Sequence, residues 1–139
     1  KHYVKGLSQF GIRNVSSTAK EGYEKAREMG SDIISVRQAR KIGMKNIARR
    51  IPKGKRLYVT IDIDAFCPSI APGTGTPSHG GFLYYEVLEL LQSITVQNSI
   101  IGIDIVEVAP DYDPTDSTAI LAAQILLNFL GFIFSNSSE

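Results

Sequence analysis

From Leu57 to Ile63 the chain reads LYVTIDI. β-branched and aromatic residues of this kind pack well on a pleated surface, so the stretch reads as a strand. Asp62 and Asp64 stand at its end. On its carboxyl side, Pro68 to Gly81 is a segment rich in Pro, Gly, Ser and Thr. Phe82 to Ile94 then has helical spacing, with Leu83, Val87, Leu88 and Leu91 on one face. Ile100 to Val106 (IIGIDIV) reads as another strand, followed at once by Glu107. Pro110 to Pro114 is turn-rich, and Thr115 to Phe134 is the last helix, with Asp116 or Thr115 as its cap. On the amino side, Gln38 to Arg50 is a basic helix ended by Ile51-Pro52-Lys53-Gly54, and Asp32 to Val36 (DIISV) is a strand. Before that, Thr18 opens a helix, with Glu21 three residues on as its capping partner; it runs to about Met29 and stops at Gly30. Gln9 to Arg13 (QFGIR) is the first strand.

The order is therefore β-α-β-α-β-α-β-α. Near-continuous apolar strands alternating with helices predict an α/β fold, a mostly parallel sheet of about four strands covered by helices on both faces in three α-β-α layers. The 139 residues suit one domain, spanning residues 1–139. A hydrophobic fraction of 43%, a charged fraction of 21% and a net charge of +1 set up no field that favours nucleic acid or anionic lipid. The densest basic run, Arg37 to Arg56, reads as a solvated helix face, because no aromatic residues interleave there to stack bases. A lone cysteine, Cys67, excludes an internal disulfide and a cysteine-built zinc site, and points to a reducing, cytoplasmic setting. The apolar stretch from Ile125 to Phe134 is interrupted by Asn128 and Gly131, which predicts a segment too short to cross a bilayer. No signal peptide is visible, and a start at Lys1 rather than Met suggests a trimmed chain, a processed product or a fragment.

In an open α/β sheet, ligands bind beyond the carboxyl ends of the strands. Asp62, Asp64 and Glu107 sit at two such ends, and Asp104 lies three residues before Glu107. Residues two apart on an extended strand project to one side, so Asp62 and Asp64 converge. Close carboxylates repel unless a cation lies between them or one takes a proton. Hard oxygen donors suit Mg²⁺, Mn²⁺ or Ca²⁺. A D-x-D alone leaves a structural or capping role equally open. The segment Pro68 to Gly81 is long for a plain connection, which marks it as a functional loop.

Asp62 to Gly81 reads DIDAFCPSIAPGTGTPSHGG. It resembles the signature of the arginase/agmatinase ureohydrolase family, in which a D-x-D strand end leads through a proline to PGTGTP and a Gly-Gly pair. IIGIDIVEVAPDYDPTDSTAILAAQILL resembles the family's last strand, its E-V-x-P turn and its final helix. FGIRN and IISVR also resemble agmatinase-type members. The resemblance implies an arginase-like fold of which this chain is the C-terminal portion. It implies that Asp62 and Asp64 are metal ligands of a binuclear Mn²⁺ centre, that Glu107 holds the substrate guanidinium, and that Thr76 lies beside the same group. It further implies hydrolysis of a small guanidino compound, agmatine-like as a first guess, to urea and an amine. It implies assembly into a homo-oligomer and no nucleic-acid or membrane partner.

Departures matter too. The family's other metal ligands lie in a G-G-D-H stretch and a D-A-H-x-D motif, and neither occurs here; the two histidines are His2 and His79. Carboxylates without a neutral nitrogen partner predict weak Mn²⁺ binding and an inactive isolated chain. One strand of the family's parallel sheet, from the portion absent here, belongs among the strands present, so exposed strand edges and apolar helix faces are expected. Cys67 stands where the family places Asp before Pro, and reads as a small half-buried side chain rather than a nucleophile. His79 reads as a surface or hydrogen-bonded loop residue. Glycines 73, 75, 80 and 81 let the backbone turn sharply. Asp104 either orients neighbours or is structural, and Asp111, Asp113 and Asp116 make turns and a cap. Two other readings stay open. One is a degenerate domain that keeps the fold for binding or assembly. The other is a haloacid-dehalogenase-like phosphatase, whose D-x-D Asp62-Ile63-Asp64 resembles, although Phe66 stands where that family wants Thr or Val.

Overall fold

The computed structural model describes residues 3–13 and 20–135. The elements are β1 (Ser8–Ile12), α1 (Lys20–Glu28), β2 (Asp32–Ser35), α2 (Val36–Ile42), α3 (Met44–Ala48), β3 (Arg56–Asp62), α4 (Tyr84–Thr95), β4 (Ser99–Val106) and α5 (Ser117–Ser135), with short 3-10 turns at Ile63–Ala65 and Pro110–Tyr112. This is the expected alternation of four strands with helices. Thr18, expected to cap α1 together with Glu21, lies outside the described residues.

The basic helix predicted over Gln38 to Arg50 is two helices. Gly43, at φ +89°, closes α2 and opens α3. The first starts earlier than predicted, at Val36, because Ser35 and Gln38 form a reciprocal cap. The Ser35 hydroxyl accepts from the Gln38 N–H at 3.2 Å, and the Gln38 side chain accepts from the Ser35 N–H at 2.9 Å.

All pairing is parallel, but the four strands do not form one sheet. β1 pairs with β2, and β3 pairs with β4, as two separate ladders. Contact between the two pairs is made instead at the carboxyl ends, where the Gly11 backbone lies against Phe82 and Ala65.

The prediction of helices on both faces holds for one face of β3–β4. Leu57, Val59, Ile61, Ile103 and Ile105 face the core. The opposite face, with Tyr58 63% exposed and Thr60 and Val106 exposed, is open. β3 thus alternates inward and outward with period two, and on the outward face the Tyr58 hydroxyl donates to Asp104 Oδ2 of β4 at 2.7 Å.

The core is capped by α4 and α5. Thr118, Leu121, Ile125 and Phe129 recur at helical spacing on the buried side of α5. Ile125 and Phe129 are fully buried, each contributing roughly 2 kcal/mol by burial alone. As predicted, one helix runs through this stretch, and Asn128 and Gly131 interrupt only its apolar character. α5 is one helix of 19 residues with mean hydropathy 1.9, long and apolar enough by length and composition to cross a membrane. Asn128 is accommodated because its amide donates to the Gln124 carbonyl at 2.8 Å and to the Tyr84 hydroxyl at 3.1 Å. Nor do Thr115 or Asp116 cap α5 alone. Asp113 Oδ2 accepts from the Thr118 N–H at 2.8 Å inside the first turn.

Candidate active site

The site lies where β3 and β4 end together. Their register pairs Asp62 with Val106, so Glu107 follows directly beside Asp62. The chain turns at once after Asp62, which corrects the extended D-x-D expected from the sequence. Asp62 Oδ1 accepts from the Asp64 N–H at 2.9 Å and so caps the 3-10 turn Ile63–Ala65. The two carboxylates are neighbours through this turn, not through strand pleating.

Asp64 is held from two further directions. The Thr76 hydroxyl, from the GTGTP loop, donates to Asp64 Oδ2 at 2.8 Å. Arg13, just beyond β1, donates through Nη2 to the Asp64 carbonyl, and its Nη1 lies 3.7 Å from Asp64 Oδ1. Arg13 Nε also donates to the Ser78 carbonyl at 2.9 Å, so one guanidinium grips both the carboxylate turn and the loop.

Glu107 joins the group by charge. Burial raises the Asp62 carboxyl above its ordinary range, and the Asp64 and Glu107 carboxylates push the same way; the bond from the Asp64 N–H and the charge of Arg13 oppose them. Glu107 has φ +65°, a left-handed backbone rarely taken by a residue with a β-carbon. Strain of this kind concentrates at functional positions. The structure therefore links Asp62, Asp64 and Thr76 by hydrogen bonds, with Glu107 at the adjoining end of β4.

The loop that carries Thr76 is tied at both ends. Phe66 and Phe82 form a parallel bridge, and the Cys67 N–H donates to the Phe82 carbonyl at 2.9 Å. This brings Gly81 so close to Phe66 that an added β-carbon would lie 2.3–2.5 Å from backbone atoms. Arg40 of α2 donates to the Gly81 carbonyl at 2.8 Å and pairs with Glu86 at 2.8 Å. The hydrogen bond from Arg40 is the main reason the Glu86 carboxyl sits below its ordinary value. Cys67 is half-buried, as expected; hydrogen bonds with Ser69 are the main influence lowering its thiol pKa, with the charge of Arg40 adding. His79 is exposed on the loop.

Asp104 lies on the open face of the sheet, where hydrogen bonds from Thr60 and Tyr58 lower its carboxyl. Two residues escaped the sequence reading. Arg13 was visible only as an arginine at a strand's carboxyl end, and its reach to Asp64 is tertiary. Asp113 read as a turn residue but is 2% exposed; the signal was the pair of threonines, Thr115 and Thr118, that follow it.

Asp62 and Asp64 offer hard oxygen donors of the kind Mn²⁺ takes, while the Arg13 guanidinium beside Asp64 is a cation that competes for that carboxylate. They fit the ion as a partial set: among the described residues, no three His, Cys, Asp or Glu side chains stand close enough to enclose one.

Comparison with known proteins extends these observations. The profile of the Arginase family matches residues 1–131. The chain is 37% identical over 132 residues to the mitochondrial guanidino acid hydrolase of Homo sapiens, covering 91% of this chain and 36% of that protein. It is 38% identical over 122 residues to the agmatinase of Halalkalibacterium halodurans, covering 87% of this chain and 40% of that protein. The solved structure of proclavaminate amidino hydrolase from Streptomyces clavuligerus superposes with TM-score 0.84 at 33% identity, over 93% of this chain and 43% of that one. Formimidoylglutamase from Bacillus subtilis superposes with TM-score 0.83 at 30% identity, over 91% and 41%. The chain thus spans about two-fifths of the length of the relatives it matches.

Proposed function

Since this chain belongs to the arginase family, we propose that it is the portion of a manganese-dependent ureohydrolase that carries the D-x-D turn, the GTGTP loop and the guanidinium-binding acid. The reaction is hydrolysis of an agmatine-like guanidino compound to urea and an amine. The observation that carries this reading is the hydrogen-bonded link of Thr76, Asp64 and Asp62 at the end of β3, with Glu107 at the adjoining end of β4.

Each residue has work suited to its place. Glu107 accepts paired N–H donors from a flat guanidinium, a strong and oriented contact. Its left-handed backbone fixes the direction in which the carboxylate leaves the strand. Asp62 and Asp64 would hold the metal, and the turn between them sets their spacing. Thr76 spends its proton on Asp64, which orients that carboxylate and leaves the threonine oxygen as an acceptor beside the guanidinium. Bound there, Mn²⁺ supplies Lewis acidity and a water of lowered pKa. Agmatine is the preferred substrate because agmatinases recur among the relatives; a guanidino acid is the alternative.

The test is Mn²⁺ titration of the chain, followed by electron paramagnetic resonance, beside D62N and D64N. Urea release from agmatine and from 4-guanidinobutyrate is measured in parallel, on the chain alone and joined to the portion of the Halalkalibacterium agmatinase that it lacks. We expect weak Mn²⁺ binding that either substitution removes, no urea from the chain alone, and urea from the joined protein that E107Q abolishes. A joined protein that binds Mn²⁺ yet releases no urea would favour the second reading, a non-catalytic domain. The incomplete metal-holding set among the described residues is what speaks for that alternative.

A further inference from the structure

We infer that Asp113 and Thr118 are positioning residues, which lock the GTGTP loop to the exit of β4 and thereby fix where Thr76 stands relative to Glu107. The inference rests on the reading of those two residues as substrate-facing, and it concerns groups that touch neither substrate nor metal.

Thr118 is fully buried and Asp113 nearly so. Asp113 Oδ2 accepts from the Thr118 N–H at 2.8 Å and from its hydroxyl at 2.7 Å. Asp113 Oδ1 accepts from the Thr115 N–H at 3.0 Å and from the Thr115 hydroxyl. Four donors converge on one carboxylate, so the group is held ionised and cannot rotate. The consequence falls on Thr118. A hydroxyl has one proton, and here the anion takes it; the oxygen is left to accept. It accepts from the Gly73 N–H at 2.8 Å. The Gly73 carbonyl in turn accepts from the Ala109 N–H at 2.8 Å.

A single chain of hydrogen bonds, directed from donor to acceptor, therefore runs from residue 109, through residue 73, to Thr118 and Asp113 at the start of α5. Gly73 lies three residues before Thr76, and Ala109 two residues after Glu107. The approach is close enough that a β-carbon on Gly73 would stand 2.8 Å from Asp113 Cβ and 3.1 Å from the Ala109 carbonyl oxygen. A buried charge that serves only to cap a helix does not need a second strand exit and a glycine loop seated against it.

Amide hydrogen exchange by NMR on the 139-residue chain tests this, with T118V and T118S. Valine matches the shape of threonine without the hydroxyl, and serine keeps the hydroxyl. In T118V we expect amides of residues 73–76 to exchange roughly tenfold faster, the scale set by losing one buried hydrogen bond, while β3 amides keep their rates. Paramagnetic broadening of the Thr76 amide by added Mn²⁺ should weaken in step, and T118S should restore both. Unchanged exchange at residues 73–76, equal acceleration throughout the chain, or a T118S as impaired as T118V would each overturn the inference. If T118V does not fold, wild type decides: a Gly73 amide exchanging at the free-peptide rate overturns the clamp, and protection matching β3 sustains it. D62N separates the two claims, because Mn²⁺ broadening that survives it defeats the metal reading and leaves the exchange result standing.

Discussion

Arg13, one residue beyond β1, holds Asp64, two residues beyond β3, by both its main-chain carbonyl and its carboxylate. The same guanidinium reaches the Ser78 carbonyl. This contact crosses the line along which the strands fail to pair, so it ties the β1–β2 ladder to the β3–β4 ladder.

Replacement of Arg13 should therefore cost stability as well as geometry. The arginine side chain is 11% exposed, and hydrogen bonds to a charged group of this kind contribute more than neutral ones. We expect R13M to lower unfolding free energy by roughly 2 kcal/mol. Lysine keeps the charge but not the fork that serves residues 64 and 78 together, so R13K should recover only part of the loss. Urea denaturation followed by tyrosine fluorescence measures both. A loss below about 0.5 kcal/mol for R13M, the range of an ordinary surface substitution, would mean that other contacts join the ladders.

Asp113 predicts the acid limb of stability. Hydrogen bonds from Thr115 and Thr118 hold its carboxyl far below the usual carboxylate range. Its pKa is lower folded than unfolded, so the stabilisation is fully present above the unfolded value and is lost as pH falls through the carboxylate range towards the folded one. Glu86, lowered chiefly by Arg40, acts with the same sign. D113N should be less stable at pH 7 and show a shallower loss of stability between neutral pH and pH 3. Melting temperatures of the two proteins across that range decide it; parallel curves would remove Asp113 from the acid response.

Gly81 and Gly75 lie in the same loop and should respond oppositely. A β-carbon at 81 meets the Phe66 carbonyl and the Cys67 nitrogen, backbone atoms that cannot swing aside, whereas at 75 nothing lies within 4 Å. We expect G81A to destabilise by roughly 2–3 kcal/mol through overpacking, and G75A to stay within about 0.5 kcal/mol. Thermal unfolding of both variants checks this. A tolerated G81A would mean that the Phe66–Phe82 bridge yields.

Strand identity and order were legible because apolar, β-branched runs between turn residues leave few alternatives. The division of those strands into two pairs was not, since what sits beside a strand edge is not written in the strand. Asp62, Asp64 and Glu107 were singled out by strand-end position and, with Thr76, by resemblance to the family motif, but what links Asp62, Asp64 and Thr76 was not legible. It depends on a 3-10 turn that local pattern read as extended strand, and on Arg13 reaching from the other ladder. Asp113 shows the same limit: a D-P-T-D-S-T run reads as turn chemistry, and only packing shows that its first carboxylate is buried. The helix over Thr115 to Phe134 was legible, but the partner that Asn128 finds in Tyr84, 44 residues away, was not.

The open surfaces carry the last prediction. Ile120 and Leu127 of α5 are 55% and 67% exposed, one heptad apart on the side away from the core, and Tyr58 and Val106 lie on the uncovered face of β3–β4. Apolar surface on this scale is buried in stable proteins by a partner or by more chain. The relatives are more than twice as long, which identifies more chain as the usual cover. At micromolar concentration the isolated chain should therefore sediment above its monomer mass and bind a hydrophobic dye. I120E combined with L127E should reduce both, because a charge on a helix face opposes burial there. These substitutions leave the inward residues Leu121, Ile125 and Phe129 intact, so the helical signal should persist. A wild-type chain that stays monomeric and dye-free would mean that these faces are covered within the chain itself.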